Sequence, residues 1–176
     1  MVEILIPKTK MEETKIPLIF LAGPIKGTND WRSSAVEIFE SFNLPLIIAS
    51  PSKRVNLINN KTTLIPISND FSRQREWENH YLDIASRNGS ILFWFPEETI
   101  HNCEKSYGAM TRVEIGQWMT EYKYNNSIHL CVGTDGKFSE IDTIRYDLSV
   151  FAPDIKICEI LEETCNQAIN FIQPRK

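Results

Sequence analysis

The stretch Ile91-Leu-Phe-Trp-Phe95, the loop Pro96–Lys105 and then Ser106-Tyr-Gly-Ala-Met-Thr-Arg-Val-Glu-Ile-Gly-Gln-Trp118 read as a buried strand that hands over to a helix. Five consecutive apolar residues without alternation suit a strand covered on both faces, as in a parallel sheet. Ile115, Trp118, Met119 and Tyr122 recur at i, i+3, i+4 and i+7 and form the helix's inner stripe. Glu114 falls in the first turn, on a different face. There the positive end of the helix dipole favours its ionised form. The carboxyl end of such a strand is also where open α/β sheets hold their ligands. A fixed, ionised carboxylate beside that crevice can act as a nucleophile. Thr111-x-x-Glu114 equally fits a capping box, in which both side chains satisfy helix-end amides.

Upstream, Ile16-Pro-Leu-Ile-Phe-Leu-Ala22 predicts a first strand that runs into Gly23-Pro-Ile-Lys-Gly27, a tight turn with exposed backbone amides. Asn29 or Asp30 can cap a helix that carries Trp31, Ala35, Ile38, Phe39 and Phe42 on one side. Leu46-Ile-Ile-Ala-Ser50 is a second strand. Residues 51–69 are polar, and a loop of that length suggests a lid or a binding loop. Ser68, Asn69 or Asp70 can cap a helix through Asn88 that is rich in aromatic and charged residues. Downstream, Ser127–Val132 and a brief edge segment, Ile155–Cys158, complete the strands, with helices marked by Ile141, Ile144 and Leu148 and by Leu161, Cys165 and Ala168. Alternating strands and helices predict an α/β fold, a three-layer flavodoxin- or Rossmann-like sandwich with a five-stranded, mainly parallel sheet in the order 2-1-3-4-5. In that order the Gly23 turn and the Glu114 helix face each other across a crevice. Residues 1–15 are expected as a peripheral arm and 16–176 as a single domain.

Composition narrows the function. The 176 residues are 42% hydrophobic and 24% charged, with a net charge of -4 and no long basic run. That argues against nucleic acid as the partner. No apolar run approaches a membrane span, and the amino end lacks a targeting pattern, so a cytoplasmic location is expected. Cys103, Cys131, Cys158 and Cys165 form no CxxC pair and have no histidine at zinc-ligand spacing, so no metal site is expected. Cys131 and Cys158 sit in apolar runs and read as buried free thiols.

Three pieces in matching order resemble the nucleoside 2-deoxyribosyltransferase family: Ile19-Phe-Leu-Ala-Gly-Pro-Ile25, Arg75-Glu-Trp-Glu-Asn-His-Tyr81 leading into Ser90–Pro96, and Gly108-x-x-Thr-Arg-Val-Glu-Ile-Gly116. The resemblance implies N-glycosidic bond chemistry on a nucleoside or nucleotide. The glutamate of the family's Glu-x-Gly signature, here Glu114, attacks the anomeric carbon and displaces the base. It also implies an acidic residue on the preceding helix, for which Glu78 and Asp83 compete, with His80 and Tyr81 between them. Glu78 stands in the amino half of that helix, nearer the crevice. Phe20, Gly23, Pro24 and Ile25 are expected to contact substrate, and Trp77 is a candidate to stack on the base. Arg75, Arg112 and Lys26 are candidates to meet phosphate oxygens. No cofactor is required, and a homo-oligomer is implied.

The chain departs from the family's pattern at two places. Phe20 stands where many relatives have a tyrosine that orients the nucleophile. The loop before Glu114 offers Glu97, Glu98 and Glu104, none an obvious counterpart of the family's second base-contacting acid. Hydrolysis or an altered substrate tolerates these changes better than transfer does. Two other readings stay open: a nucleotide-binding sensor or assembly module without turnover, and a glycohydrolase of NAD-type dinucleotides.

Overall fold

The computed structural model describes residues 1–11, 15–52, 62–64 and 71–173. In chain order the elements are β1 (Val2–Leu5), β2 (Leu18–Ala22), α1 (Trp31–Ser41), β3 (Leu46–Ala49), β4 (Thr62–Leu64), α2 (Gln74–Asn88), β5 (Gly89–Phe95), α3 (Ala109–Tyr124), β6 (Leu130–Thr134), α4 (Ile141–Phe151), β7 (Ile157–Cys158) and α5 (Leu161–Ile172). The strands form one sheet in the order β4-β1-β3-β2-β5-β6-β7, and every neighbouring pair is parallel.

The architecture is α/β with a parallel sheet between helices. The side-chain period of two sorts each central strand between two cores. Leu18, Phe20, Ala22, Ile91, Phe93 and Phe95 point to one face, where α2, α3 and α4 supply Trp77, Tyr81, Ile115, Trp118 and Ile144. Ile19, Leu21, Leu92 and Trp94 point to the other, covered by Trp31, Ala35 and Phe39 of α1 and Cys165 and Ala168 of α5. Burial on both faces explains why β2 and β5 show no alternation.

The sheet differs from the expected one in strand number and order. Residues 2–5, expected in a peripheral arm, form a strand that pairs with β3 on one side and β4 on the other. Val2, Ile4 and Leu5 are buried there. The polar stretch 51–69 contributes β4, which is three residues long; otherwise the expected lid at 53–61 and 65–69, and helix caps at 68–70, lie outside the described residues. Helix α2 starts at Gln74, where Glu76 folds back to accept hydrogen bonds from the Arg73 amide at 3.3 Å and the Ser72 hydroxyl at 2.7 Å. Cys131, Cys158 and Cys165 are buried free thiols and Cys103 is exposed.

Candidate functional site

A cavity of about 550 Å³ opens at the carboxyl ends of the strands, where β2 and β5 lie side by side but their chains lead to opposite layers. Such switch points are where open α/β sheets hold ligands. Gly23–Gly27, the turn after β2, forms one wall, and Ser106–Thr111, at the start of α3, forms another. The first wall is tied to the loop after β5: the Gly27 carbonyl accepts from Thr99 N at 2.7 Å and Ile100 N at 3.2 Å. Two glycines are required by this geometry. Gly23 has φ +153°, and a Cβ there would lie 2.5 Å from the Trp94 carbonyl oxygen and 2.7 Å from Cζ2 of Trp31. Gly108 caps α3 at φ +63°, with the Phe138 ring 2.8 Å from where its Cβ would stand. Only glycine takes up such backbone and such close approach without strain.

Phe20, Gly23, Pro24, Ile25, Glu78 and Glu114 all line this cavity. Glu114 is only 7% exposed. It lies one turn further along α3 than expected, because the helix begins at Ala109 after a Gly108 cap and Thr111 is already inside it. The Thr111–Glu114 capping box therefore does not form. Instead Arg75 Nη1 donates to Glu114 Oε1 and, at 3.4 Å, to Glu78 Oε2. Gln74 Nε2 holds the other Glu78 oxygen at 2.8 Å and the Pro51 carbonyl at 3.0 Å. Because both carboxylates accept from one nitrogen, the oxygens involved lie within two hydrogen-bond lengths, about 6 Å.

Burial pushes the Glu114 carboxyl above the ordinary carboxylate range. Arg75 opposes this through its charge and its hydrogen bond, while Glu78 adds to the upward push. This revises the ionisation expected from the helix dipole alone: desolvation is the larger effect, and the ion pair replaces the helix end as the main counterweight.

Other candidates stand elsewhere. Trp77 is fully buried, donates from Nε1 to the Thr9 carbonyl at 2.9 Å, and packs between Phe20 and Tyr81. It is a core residue and cannot stack on a base. Arg75 does not line this cavity but a separate groove with Asn79 and Gln117, and its Nη1 is engaged by the two carboxylates. Arg112 lies over the Phe138 ring, 4.5 Å from its centroid, and donates to the carbonyls of Tyr107 and, at 2.9 Å, Ser139. It braces a loop and does not line the cavity. Asp83 pairs with Arg87 on the surface, and His80 packs on Tyr81 and Phe71. Of the loop acids, Glu98 lines the cavity, Glu97 pairs with Lys137 at 3.0 Å, and Glu104 is exposed. Lys26 and Lys105 both reach the cavity wall.

Two residues that the sequence did not single out take part. Tyr107 lines the cavity and donates to the Pro96 carbonyl at 2.9 Å; burial pushes its phenol up to about 12, so it remains a donor. Arg32 lies behind the Gly23 turn, buried. No signal in the sequence marks either, since a tyrosine in a polar loop and an arginine beside a helix cap are ordinary surface residues.

Among the described residues no group of three or more histidine, cysteine or carboxylate side chains could hold a metal ion, and no helix is long and apolar enough to cross a membrane. No protein-family model matches the chain, and no curated protein matches it.

Proposed function

We propose that the protein cleaves or transfers the N-glycosidic bond of a nucleoside or nucleotide, with Glu114 as the nucleophile. The observation that carries this reading is the pair Glu114 and Glu78 on one cavity wall, bridged by a single arginine nitrogen. A leaving base departs with both bonding electrons and needs a proton, while the sugar develops oxocarbenium character that a carboxylate stabilises. Two carboxyl groups about 5 Å apart suit a retaining mechanism with a covalent glycosyl intermediate; larger gaps of about 6.5–9.5 Å suit direct attack by water. The shared Arg75 contact favours the first. Glu78 is the acid, and Glu98 is an alternative partner for the base. Lys26 and Lys105 on the cavity wall support a nucleotide over a free nucleoside, since a flexible ammonium suits a phosphate oxygen. The likeness to nucleoside 2-deoxyribosyltransferases agrees with this assignment, and hydrolysis fits the phenylalanine at position 20 better than transfer does.

The test is incubation with a panel of nucleosides and their 5′-monophosphates, with released base measured by chromatography. Release from at least one is expected. No release from any, together with thermal stabilisation by a nucleotide, would replace this reading with a binding module. The specific observation favouring that second reading is that Arg75 occupies both carboxylates in the free protein.

Arg75 also gives a pH prediction. It is the main group that holds the Glu114 carboxyl down against burial, ahead of Arg32. Arg75→Met removes that pull, so the proton is held to higher pH. The acid limb of kcat/KM, which reports the free enzyme, is expected to move to higher pH. An unmoved limb would show that Glu114 does not set it.

A further inference from the structure

Arg32 is 3% exposed, yet no described carboxylate forms an ion pair with it. Its guanidinium is spent on main-chain oxygens at the end of β2: Nη2 donates to Gly23 O at 2.6 Å and Leu21 O at 3.3 Å, and Nη1 to Pro24 O at 2.8 Å. Trp31 Nε1 adds a second donor to Pro24 O at 3.2 Å. Nε is left without an acceptor. A buried charge held by carbonyls and by the face of the Trp31 ring, 4.2 Å from its centroid, is expensive, and an apolar side chain of the same size would avoid the desolvation. Burial lowers its pKa to about 9, which still leaves it charged at neutral pH.

Two of the carbonyls it holds, those of Gly23 and Pro24, belong to the turn that walls the cavity, while Arg32 itself does not line it. In a trans peptide the N–H points opposite to the C=O. Drawing the Pro24 oxygen inward therefore turns the Ile25 N–H outward. Proline supplies no N–H of its own, and among the described residues nothing accepts from the Ile25 amide. Resting on the glycosidic reading above, we infer that Arg32 is a positioning residue whose carbonyl clamp aims the Ile25 N–H into the cavity, as a fixed donor to a sugar or phosphate oxygen of the substrate. The clamp sets the donor before substrate arrives, so no reorganisation is needed at the moment of reaction.

Arg32→Lys keeps the charge and loses the fork. With the four common 2′-deoxynucleosides and their 5′-monophosphates as probes, it is expected to lower kcat/KM about 100-fold, the scale of a misplaced contact. KM should rise as well as kcat fall, the acid limb should stay in place, and the amides of Thr99 and Ile100, bonded to Gly27 on the same turn, should exchange faster. A loss confined to the monophosphates assigns the donor to phosphate; an equal loss on both assigns it to the sugar. A merely structural role would reduce the amount of active protein and leave KM unchanged. Should the lysine variant fail to fold, Trp31→Phe removes the second donor to Pro24 O and is expected to raise KM about tenfold, the scale of one hydrogen bond. Wild-type KM in whichever of these variants folds overturns the inference. If the wild type releases no base, the glycosidic reading fails, and the exchange measurement alone judges the clamp: unchanged protection at Thr99 and Ile100 overturns it.

Discussion

Glu114→Gln is expected to lose base release by at least about 10³-fold in kcat, on the scale seen when a covalent nucleophile is removed. That corresponds to about 4 kcal/mol of transition-state stabilisation. Glutamine keeps the size of the side chain and can still accept from Arg75, so the wall of the cavity survives. What disappears is the negative charge that forms the bond to the anomeric carbon. The same variant carries a stability signature. The folded protein holds the Glu114 carboxyl above its ordinary range, so between the ordinary and the raised value the folded state binds more protons than the unfolded one. Stability of the wild type then falls as pH rises through that window. Glutamine does not titrate. The stability of Glu114→Gln relative to wild type is therefore expected to climb with pH just above the ordinary carboxylate range and to level off beyond the raised value. Any constant offset from the altered Arg75 contact does not affect this slope. Denaturant titrations at a series of pH values measure it; a difference that is flat with pH contradicts the burial argument.

Gly23→Ala has the second-largest expected effect. The added methyl would lie 2.5 Å from the Trp94 carbonyl oxygen and 2.7 Å from the Trp31 ring, at a φ of +153°. Neither neighbour is a flexible chain end: one is backbone in β5, the other is the buried indole that helps hold Pro24. Overpacking of this kind costs about 3 kcal/mol at the upper end of its usual range. In a chain of this size that lowers Tm by about 6–12 °C. Because the turn must shift, the activity of the folded protein is also expected to fall, by about 100-fold for a displacement near 1 Å. Thermal unfolding and base-release rates check both halves. A Tm within about 2 °C of wild type would mean that the turn relaxes freely.

The residues whose environment is local were legible from the sequence. The apolar strand running into a Gly-Pro turn and the helix after the most apolar strand placed the two walls, while the roles of Phe20, Gly23, Pro24, Ile25 and Glu114 came from the resemblance of Ile19–Ile25 and Gly108–Gly116 to the nucleoside 2-deoxyribosyltransferase pieces. All of these residues line the cavity. Trp77 was misassigned because an aromatic residue among charges resembles a ligand contact. Its partners Tyr81, Leu82 and Ala85, at i+4, i+5 and i+8, mark the buried side of α2 and could have placed it in the core. The strand at residues 2–5 was hidden by the charged residues after it, although Val2, Ile4, Leu5 and Ile6 are apolar. Arginines were the least legible. Arg32, Arg75 and Arg112 have similar surroundings in sequence, yet one clamps carbonyls, one bridges two acids and one lies on a ring. Which way a long, charged side chain turns depends on acceptors brought together by the fold, and periodicity does not encode them.

Whether the Glu114 carboxylate bonds to the sugar can be seen by incubating the wild-type protein with a nucleoside or nucleotide that carries fluorine on the sugar carbon next to the anomeric centre. The electron-withdrawing fluorine slows release of the sugar from the enzyme more than it slows loss of a good leaving base. Peptide mapping by mass spectrometry is then expected to find one sugar-derived group on Glu114, and none on the Glu114→Gln variant. Base release accompanied by a sugar adduct on another residue, or continuing at the wild-type rate in Glu114→Gln, would contradict the account.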